Sequence, residues 1–460
     1  MTTIIEQVKM FESGESCDEY AESFIEEAKK INKKFYYFTE FCNKSSKRGG
    51  ALSGIPVTVK DCICVKGVQS RASSAILNTY TPVFNASSVQ KTIDEGATIT
   101  GKTVQDEFGF GGFSVNVGIG FEIPRNPHDE DRVCGGSSGG SAGITAITKH
   151  AHFSIGESTG GSIVTPAAFC GVVGICPTYG IVSRYGLMDY ANSLDKIGPF
   201  TKTVLEGAVA LKVLAGHDTK DSTSTNKKIP DYTKITEKSI KGWKIGYIDP
   251  EGVEEPIREN LHESIQEIKE SGAKTEKITL PISDEYAIPA YYTIALCEAS
   301  TNLAKYCGLR YGAQEEPKGF FDEYFSNIRS KNFGKEAKRR ILLGTFARQA
   351  GFRDAFYIKA LQARTHIINE YKKIFSEVDA IITPTMPILP PLIKKASELT
   401  PLQSYLSDKL TVGPNIAGLP HMSLPTGKHK SLPIGLMITA DHYEEEKMMT
   451  LGVELEEKNG

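Results

Sequence analysis

Two glycine-rich loops that contain serines, called the serine loops below, place the strongest constraint on the fold of this chain. Glycine pairs beside serines indicate backbone that must approach another group closely. The first loop is Gly135-Gly-Ser-Ser-Gly-Gly-Ser141 and the second is Thr159-Gly-Gly-Ser162. Around them, from Ser53 to about Gly216, strand-like runs alternate with helical runs. This alternation predicts an α/β fold with a large mixed, mostly parallel β-sheet that is covered on both faces by helices.

The length and composition of the chain favour one large folded unit. Of its 460 residues, 40% are hydrophobic and 24% are charged, a balance that can bury a large core. The pattern predicts a single domain over residues 1–460, with a helical amino-terminal segment over residues 1–50 and a polar surface loop near residues 219–241. Further expected elements are two amphipathic helices over residues 4–34, a helix over Glu255–Glu270, and strands over Trp243–Ile248 and Asp379–Thr383.

Charge and cysteine content exclude several classes of protein. The formal net charge is −3, whereas a nucleic-acid-binding domain usually has an excess of basic residues. Any RNA contact must therefore be local or made by a partner. No apolar run reaches the roughly 18 residues that a membrane helix needs. The acidic amino terminus lacks the features of a targeting peptide, so we expect a cytoplasmic protein. The nine cysteines are too dilute for a disulfide framework, so we expect reduced thiols and no bound metal.

One short pattern matches a phosphate-binding loop: Gly96, four residues, then Gly101-Lys102-Thr103. Such a loop must lie between a strand and a helix, so that backbone amides and the helix amino terminus meet the phosphates. Here Ser87–Glu95 predicts a helix that Gly96 ends, and Ala97–Thr100 predicts a strand. The supposed loop would therefore be extended backbone, and the context argues against nucleotide binding.

The first serine loop also satisfies the Gly-x-Ser-x-Gly pattern of a hydrolase nucleophile elbow, through Ser137 and through Ser138. That elbow needs a strand running directly into it. The preceding residues, 126–132, include Pro127 and are otherwise polar or charged, which predicts a poor buried strand. We therefore do not expect an α/β-hydrolase elbow, although two glycine pairs around two serines exceed what a simple turn requires.

A constellation of one lysine and two serines carries a more specific signal. Lys60 ends the strand-like run Gly54–Lys60, in which alternate residues from Ile55 to Val59 share one face, so Lys60 points to the other face. An isolated lysine in that position would most simply extend to solvent. The presence of Ser137 and Ser162 in two glycine-rich loops favours a catalytic role for Lys60 instead.

The second loop is expected to lie at the amino terminus of a helix. Thr165 suits the N-cap, and Pro166 suits the first helical position, where a missing amide hydrogen costs nothing. Glycine lets the backbone approach an oxyanion closely, as an acyl-transfer site requires. The residues whose amides would meet the oxyanion are Thr159, Gly160, Gly161 and Ser162.

Several long blocks carry a family resemblance. They are Gly54-Ile-Pro-Val-Thr-Val-Lys60-Asp61, the two serine loops, Pro177–Gly180, Ser183–Leu187, Ser193–Asp195 with Ile197–Pro199, Ala215–Asp218 and Asp221–Ser224. On these blocks the chain resembles the amidase signature family over almost its whole length, and within that family it is similar to the glutaminase subunits of tRNA-dependent amidotransferases. Several long matches in register are more specific than any single short pattern.

The resemblance implies a Ser-Ser-Lys triad. Ser162 would attack the side-chain amide of glutamine, and Ser137 would pass the proton between Ser162 and Lys60, which must be neutral to act as a base. Ammonia would leave the acyl-enzyme, and water would regenerate Ser162. In this family the peptide bond before the first serine is cis, which here would be the bond between Gly136 and Ser137.

The resemblance also implies which residues bind glutamine. Arg340 matches the arginine that grips the α-carboxylate, for which a planar bidentate donor is suited. Arg339 next to it could exchange roles with Arg340. Asp408 matches the carboxylate that takes the α-ammonium group, and Tyr291 matches a tyrosine that lines the same pocket.

Two positions depart from the family pattern. The family usually has Asp before the Thr-Gly-Gly-Ser run and Arg two residues after its serine, where this chain has Ser158 and Val164. Both partners of an ion pair are absent together, so neither leaves a buried charge unpaired. We therefore expect an effect on the rigidity of the loop and not on activity.

The resemblance implies an enzyme subunit that acts within a complex. Its ammonia would convert Glu-tRNA(Gln) to Gln-tRNA(Gln) on a B-type partner subunit that carries the tRNA, ATP and magnesium sites, and a small C-type subunit or an equivalent would join the two. The chain itself would need no cofactor. Two alternatives stay open: a free-standing amidase acting on small amides, and a non-catalytic scaffold that keeps the fold.

Overall fold

The strands of the chain join into one β-sheet in a computed structural model, which describes residues 2–45 and 49–459. Within those residues the strands are β1 (Phe38–Lys44), β2 (Pro56–Lys60), β3 (Thr98–Thr103), β4 (Phe153–Ser158), β5 (Val173–Cys176), β6 (Lys196–Thr201), β7 (Lys244–Tyr247), β8 (Lys274–Lys277), β9 (Ala380–Pro384), β10 (His421–His429) and β11 (Leu432–Thr439). Their spatial order is β1-β3-β2-β4-β6-β5-β10-β11-β9-β7-β8.

Strand directions are mixed, as predicted, but parallel pairs are not the majority. Over the described residues β3–β2, β2–β4, β9–β7 and β7–β8 are parallel, and the other neighbouring pairs are antiparallel. The α/β class and the mixed sheet are confirmed, whereas the expectation of a mostly parallel sheet was wrong. One reason is a direct hairpin between β10 and β11, with Lys430 at a φ of 57° in the turn, where parallel strands would need a long crossover.

The α-helices fill the sequence between these strands. Within the described residues they are α1 (Ile4–Glu12), α2 (Cys17–Phe35), α3 (Ser87–Asp94), α4 (Gly139–Ile147), α5 (Val164–Cys170), α6 (Val204–Leu214), α7 (Glu255–Glu270), α8 (Pro281–Asn302), α9 (Phe321–Asn332), α10 (Lys335–Ala347), α11 (Lys359–Phe375), α12 (Ile393–Glu398), α13 (Pro401–Leu406), α14 (Val412–Ile416) and α15 (Glu445–Asn459). The predicted helix at 255–270 is present as α7, and the predicted strands at 243–248 and 379–383 are present as β7 and β9.

Helices lie on both faces of the sheet at β10 and β11. Adjacent residues of a strand point to opposite faces of the sheet. The side chains of Met422 and Ser423, which are adjacent on β10, therefore lie on opposite faces. On one side a Cβ atom at Gly435 would lie 2.8 Å from Ser423 Oγ and 2.5 Å from the Cβ atom of Ala168, which belongs to α5. On the other side Met422 reaches Gly452 of α15.

The amino-terminal segment is helical only in part. The two predicted helices are present as α1 and α2, and Thr3 and Ser16 cap them by accepting from the amides of Glu6 and Glu19. The prediction of a helical segment over 1–50 was wrong at its end, because β1 lies there and pairs with β3. The aromatic and β-branched residues of β1 suit an edge strand better than a third helix.

The polar segment at 219–241 is not a loop throughout. It contains a 3-10 helix over Tyr232–Glu237, in which Tyr232 and Ile235 are fully buried. Two apolar side chains three residues apart lie on one side of such a helix, which explains why a predominantly polar segment still packs against the core.

The apparent phosphate loop is extended backbone, as predicted. α3 ends before Gly96, and Gly101, Lys102 and Thr103 belong to β3. The Lys102 amine is buried and donates to the carbonyl oxygen of Ile63 and to Ser70 Oγ. This lysine therefore stabilises protein backbone and is not free to meet a phosphate.

Neither a membrane-spanning helix nor a cluster of metal ligands is present in residues 2–45 and 49–459. None of the helices there has the length and apolar character that crossing a membrane requires. That part of the chain also has no group of three or more His, Cys, Asp and Glu side chains arranged to hold a metal ion. The nine cysteines are free thiols.

Candidate active site

Lys60 lies at the end of β2, inside the sheet. β2 is flanked by β3 and β4, and the lysine side chain is fully buried. Its Nζ atom lies 2.7 Å from Ser137 Oγ, 2.9 Å from the carbonyl oxygen of Glu157 and 2.9 Å from Glu157 Oε2. The amine therefore does not extend to solvent but is held by three oxygen atoms.

Ser137 is the member of the serine pair that contacts the lysine. It is fully buried, and the peptide bond that precedes it, from Gly136, is cis. The neighbouring Ser138 is the N-cap residue of α4, and its Oγ atom donates to the carbonyl oxygen of Glu157 at 3.1 Å. The two hydroxyl groups of the pair thus have different partners.

The first serine loop has no strand directly before it in the part of the chain that the structure describes. Residues 126–132 are outside the sheet, and isolated bridges join Arg125 to Val133 and Arg132 to Leu392. The α/β-hydrolase elbow, which requires a strand entering the turn, is therefore not the geometry of this loop.

Ser162 lies in the second loop, between β4 and α5, and is 6% exposed. A Cβ atom at Gly160 would lie 2.8 Å from the hydroxyl oxygen of Tyr291, and one at Gly161 would lie 2.6 Å from Thr411 Oγ1. Both positions therefore need glycine. Within the described residues the amides of Thr159, Gly160, Gly161 and Ser162 donate to no protein acceptor, so they are available to an oxyanion.

The helix after this loop begins earlier than predicted. α5 starts at Val164 with Ile163 as its N-cap residue, so the prediction of Thr165 as N-cap and Pro166 as first helical residue was wrong. Thr165 Oγ1 instead contacts Met386 Sδ at 3.3 Å. Pro166 is tolerated in the first turn because the first amides of a helix have no acceptor within the helix.

A small cavity brings the predicted nucleophile and the predicted substrate-binding residues together. It is lined by Gly109, Gly111, Gly136, Gly161, Ser162, Tyr291, Tyr292, Arg340 and Asp408. Ser137 follows Gly136 directly, behind this lining. Within the described residues no hydrogen bond joins the hydroxyl groups of Ser137 and Ser162, so the direct contact in the predicted triad is the one between Lys60 and Ser137.

Arg340 points into an aromatic cage, while Arg339 does not. Arg340 Nε donates to Glu336 Oε1 at 2.8 Å, and Nη1 donates to the hydroxyl of Tyr190. Arg339 pairs with Glu336 Oε2, its side chain is 31% exposed, and it is not part of the cavity lining. The guanidinium group of Arg340 lies 5.1 to 5.5 Å from the centroids of four rings, those of Phe110, Tyr190, Tyr292 and Tyr405.

Asp408 provides a negative group in the same cavity. It is buried, and its Oδ2 atom accepts a hydrogen bond of 2.5 Å from Tyr292. Burial raises the pKa of Asp408 to about 6, and the Tyr292 hydrogen bond and the charge of Arg340 oppose that increase. Tyr291, also buried, packs edge-on against Tyr292 at 4.8 Å between ring centroids.

Sequence reasoning missed the acids behind the lysine. Glu157 is 2% exposed and forms an ion pair with Lys60, and Thr159 Oγ1 lies 2.8 Å from both Glu157 Oε1 and Asp195 Oδ1. A signal was available, because Glu157 stands on β4, where every residue is buried, directly before the second serine loop. A buried glutamate needs a cationic or hydrogen-bonding partner, and Lys60 on the neighbouring strand is that partner.

Three other side chains of the site carried no usable sequence signal. Tyr190, Tyr292 and Glu336 hold Arg340 and Asp408 through hydrogen bonds, most of which join residues far apart in the chain. Such side chains are common on loops and helices, and only packing brings them together.

The two departures from the family pattern have local explanations. Ser158 Oγ donates to the carbonyl oxygen of Gly160 at 3.1 Å, so it bonds within its own loop. Val164 is fully buried. The acid next to this loop is Glu157 on β4, one residue before the position where the family usually has Asp.

Comparison with known proteins identifies the family of this chain. The sequence model of the family described as Amidase matches residues 12–449. The chain belongs to the amidase family.

Relatives of this amidase-family chain include enzymes with named activities. It is 46% identical over 412 residues to the A-type subunit of glutamyl-tRNA(Gln) amidotransferase from Thermoanaerobacter pseudethanolicus, an alignment that covers 89% of this chain and 83% of that protein. The crystal structure of the same A-type subunit from Thermotoga maritima matches with a TM-score of 0.84 and 34% identity, over 99% of this chain and 94% of that one. The peptide amidase of Stenotrophomonas maltophilia matches with a TM-score of 0.82 and 25% identity, over 100% and 97%.

Proposed function

We propose that this chain is the glutaminase subunit of a tRNA-dependent amidotransferase, and that it hydrolyses glutamine to supply ammonia for converting Glu-tRNA(Gln) to Gln-tRNA(Gln). The observation that carries this proposal is the presence of Arg340 and Asp408 in one cavity with Ser162. Glutamine has a carboxylate and an ammonium group on its α-carbon, and these two side chains have the complementary charges. A simple amide offers neither group. The names of the relatives support the same function.

The proposed reaction starts at Ser162. Its hydroxyl attacks the side-chain carbonyl carbon of glutamine and gives its proton to Ser137, whose own proton passes to Lys60 over the 2.7 Å contact. The proton then returns along the same route to the departing ammonia. Water attacks the acyl-enzyme in a second half-reaction that uses Lys60 as the base again. No histidine is needed for either step.

The second serine loop stabilises the charge that develops on the substrate oxygen. The donors are backbone amides, which need no reorganisation when the oxyanion forms. The close packing of Gly160 against Tyr291 and of Gly161 against Thr411 keeps this loop in place. The proposed donors are the amides of Thr159, Gly160 and Gly161.

Arg340 and Asp408 orient the glutamine. Arg340 binds the α-carboxylate, and its aromatic cage and Glu336 hold the guanidinium plane. Asp408 binds the α-ammonium group, and Tyr291 closes the same side of the cavity. With both ends of the amino acid held, the amide carbon is presented to Ser162.

The remaining parts of the reaction belong to partners. We propose a B-type subunit that holds the tRNA, ATP and magnesium, and a small C-type subunit or an equivalent that joins the two, in the cytoplasm. The net charge of −3 supports this division, because this chain then has no need to bind tRNA itself. We also propose that residues 1–460 form one domain, since the described strands share one sheet.

Release of ammonia from glutamine tests the proposed function. The chain is purified with its partners, and ammonia is measured with glutamine and with propionamide as substrates, in the wild type and in Ser162→Ala. We expect a strong preference for glutamine and no release by the variant. Equal use of propionamide would point to a free-standing amidase, and unchanged release by Ser162→Ala would contradict the mechanism.

A further inference from the structure

The carboxyl group of Glu157 lies between Lys60 and Asp195. Its Oε2 atom is 2.9 Å from Lys60 Nζ, and its Oε1 atom is 2.8 Å from Thr159 Oγ1. Thr159 Oγ1 is also 2.8 Å from Asp195 Oδ1. None of these four residues is more than 2% exposed. A hydrogen-bonded chain therefore extends from the amine of Lys60 through Glu157 and Thr159 to Asp195.

The single proton of the Thr159 hydroxyl constrains the two acids. A hydroxyl donates one hydrogen, so Thr159 donates to Glu157 or to Asp195 and must accept from the other. A carboxyl group donates only when it is protonated. Both oxygen atoms lie 2.8 Å from Thr159 Oγ1, and an arrangement in which each contact is a separate, fully formed hydrogen bond has one of the two acids protonated.

The surroundings of Asp195 act in both directions. Burial, and next the charge of Glu157, keep the pKa of Asp195 well above its usual range. The amides of Tyr190 and Ala191 donate to Asp195 at 2.9 to 3.0 Å and stabilise it when it is an anion. The other titratable groups around the pair, from the neighbouring strands and loops, are Cys62, Asp106, Cys176, Tyr179, Arg184, Asp189, Tyr190 and Lys196.

The hydrogen bonds of Lys60 fit both of its charge states. An ammonium group donates one hydrogen to each of the three oxygen neighbours, two on Glu157 and one on Ser137. A neutral amine donates to the two Glu157 oxygens and accepts from the Ser137 hydroxyl. Glu157 can be protonated at Oε1, toward Thr159, while Oε2 still accepts from Lys60. No side chain has to move when the proton changes place.

We propose that Thr159 passes one proton between Asp195 and Glu157, so that Glu157 is neutral while Lys60 is a free base and anionic once Lys60 is an ammonium group. The inference deepens the proposed function, on which it rests for the role of Lys60. When Lys60 gains a proton from Ser137, the Oε1 proton of Glu157 moves to Thr159 Oγ1. The Thr159 hydroxyl proton moves at the same time to Asp195 Oδ1.

These transfers are balanced. Each O–H bond that breaks in the acid pair is replaced by one O–H bond that forms, and the amine gains a proton from Ser137, which receives one from Ser162. The new anion at Glu157 lies beside the new cation at Lys60 when the tetrahedral intermediate forms. Glu157 is therefore a positioning residue that stabilises charge in the transition state more than in the ground state.

The reaction of Ser162 with a fluorophosphonate probe tests this proposal in the full chain. Ser162 Oγ bonds to phosphorus, fluoride leaves, and the serine proton passes through Ser137 to Lys60. The second-order rate constant of labelling, measured against pH, therefore reports on the base that takes up this proton. Mass spectrometry locates the adduct. The reaction does not involve glutamine, so it separates this inference from the proposed substrate.

Glu157→Gln keeps the shape of the side chain and removes its charge. Without an anion nearby, the ammonium form of Lys60 is less favoured. The acid limb of the rate profile, which is the range where the labelling rate falls as the pH falls, should therefore move to lower pH by about one to three units. The plateau rate should fall about tenfold, the equivalent of one pKa unit of lost charge stabilisation. A side chain that only fills space would change the plateau and leave the acid limb in place.

Asp195→Asn and Thr159→Val should move the acid limb in the opposite direction. Either change removes the route by which Glu157 becomes protonated, so its charge persists beside Lys60 and favours the ammonium form. We expect a shift to higher pH of about one unit. Glu206→Gln is the matched control, because Glu206 is also a buried glutamate but accepts from the amides of Ile4 and Thr203. It should leave the acid limb in place.

Opposite shifts in Glu157→Gln and Asp195→Asn support the proposal. An unchanged acid limb in Glu157→Gln, or a shift of both variants in the same direction, would overturn it, as would the absence of any adduct on Ser162 in the wild type. Thr159→Val gives the same test if one of the other variants does not fold. If Ser162 is labelled and the acid limb shifts as expected, but no ammonia is released from glutamine, the proposed function is overturned and the role of Glu157 is not.

Discussion

Tyr292 donates a hydrogen bond of 2.5 Å to Oδ2 of Asp408, inside the cavity that Ser162 and Arg340 line. The acid is buried, and its pKa of about 6 means that it is charged at neutral pH and becomes neutral in mildly acidic solution. A group proposed to bind an ammonium ion therefore changes charge in a range of pH that is easily measured.

The KM for glutamine should rise as the pH falls through about 6, the pKa of free Asp408. Above that pH the acid is an anion and attracts the α-ammonium group, and below it the attraction is lost. Tyr292→Phe removes a donor that stabilises the anion, so the rise should begin at higher pH. Asp408→Asn should have a KM about 10- to 100-fold higher, from the loss of a charged hydrogen bond, without this pH dependence.

The control for this pH effect is propionamide, which has no ammonium group. Its KM should not follow the ionisation of Asp408. A wild-type KM for glutamine that stays constant from pH 5 to 8 would contradict the assigned role of Asp408.

Arg340→Lys should raise the KM for glutamine about tenfold or more while changing kcat less. Lysine keeps the positive charge but loses the planar pair of donors that matches a carboxylate. The neighbouring Arg339→Lys is the matched control, because that side chain is partly exposed and outside the cavity. Steady-state kinetics with glutamine check both, and equal effects of the two substitutions would contradict the assignment of the α-carboxylate to Arg340.

Ser137→Ala should lower the rate of glutamine hydrolysis at least about 1000-fold, since loss of one member of a catalytic triad disables the whole relay. Ser138→Ala should cost much less, because its hydroxyl bonds to the Glu157 carbonyl and not to the lysine. Single-turnover formation of the acyl-enzyme on Ser162 distinguishes the two. Similar losses in both variants would mean that the Lys60–Ser137 contact is not the proton route.

Gly344→Ala should destabilise the protein and loosen glutamine binding. A Cβ atom at Gly344 on α10 would lie 1.9 Å from the carbonyl oxygen of Leu296 on α8, so the two helices must separate. Such overpacking costs about 1–3 kcal/mol of unfolding free energy. Because α10 also carries Arg340, the KM for glutamine should rise as well.

Thr345→Ala is the control for that substitution, since Thr345 is exposed on the same helix. Its unfolding free energy in urea should stay within about 0.5 kcal/mol of the wild type. Equal stability of Gly344→Ala and Thr345→Ala would contradict the close approach of the two helices.

Much of the local structure could be read from neighbouring residues. The helix over Glu255–Glu270, the strand character of Ala97–Thr100 and the close-packed glycines of the second serine loop each depend on patterns a few residues long. Helix periodicity and glycine requirements act over such short distances, so sequence alone is sufficient for them. The start of α5 was misjudged because Thr165 suits an N-cap position better than Ile163, the residue that occupies it.

The sequence by itself determined the groups that bear the chemistry: a lysine in an apolar strand and serines in two glycine-rich loops. Only the tertiary structure decided that Ser137 contacts Lys60, that Arg340 lies inside the cavity while Arg339 does not, and that Glu157 lies beside the amine. The Lys60 contacts join residues 77 and 97 positions apart. Contacts over such separations depend on how strands pack and in which direction they run, and no local pattern of side chains encodes either.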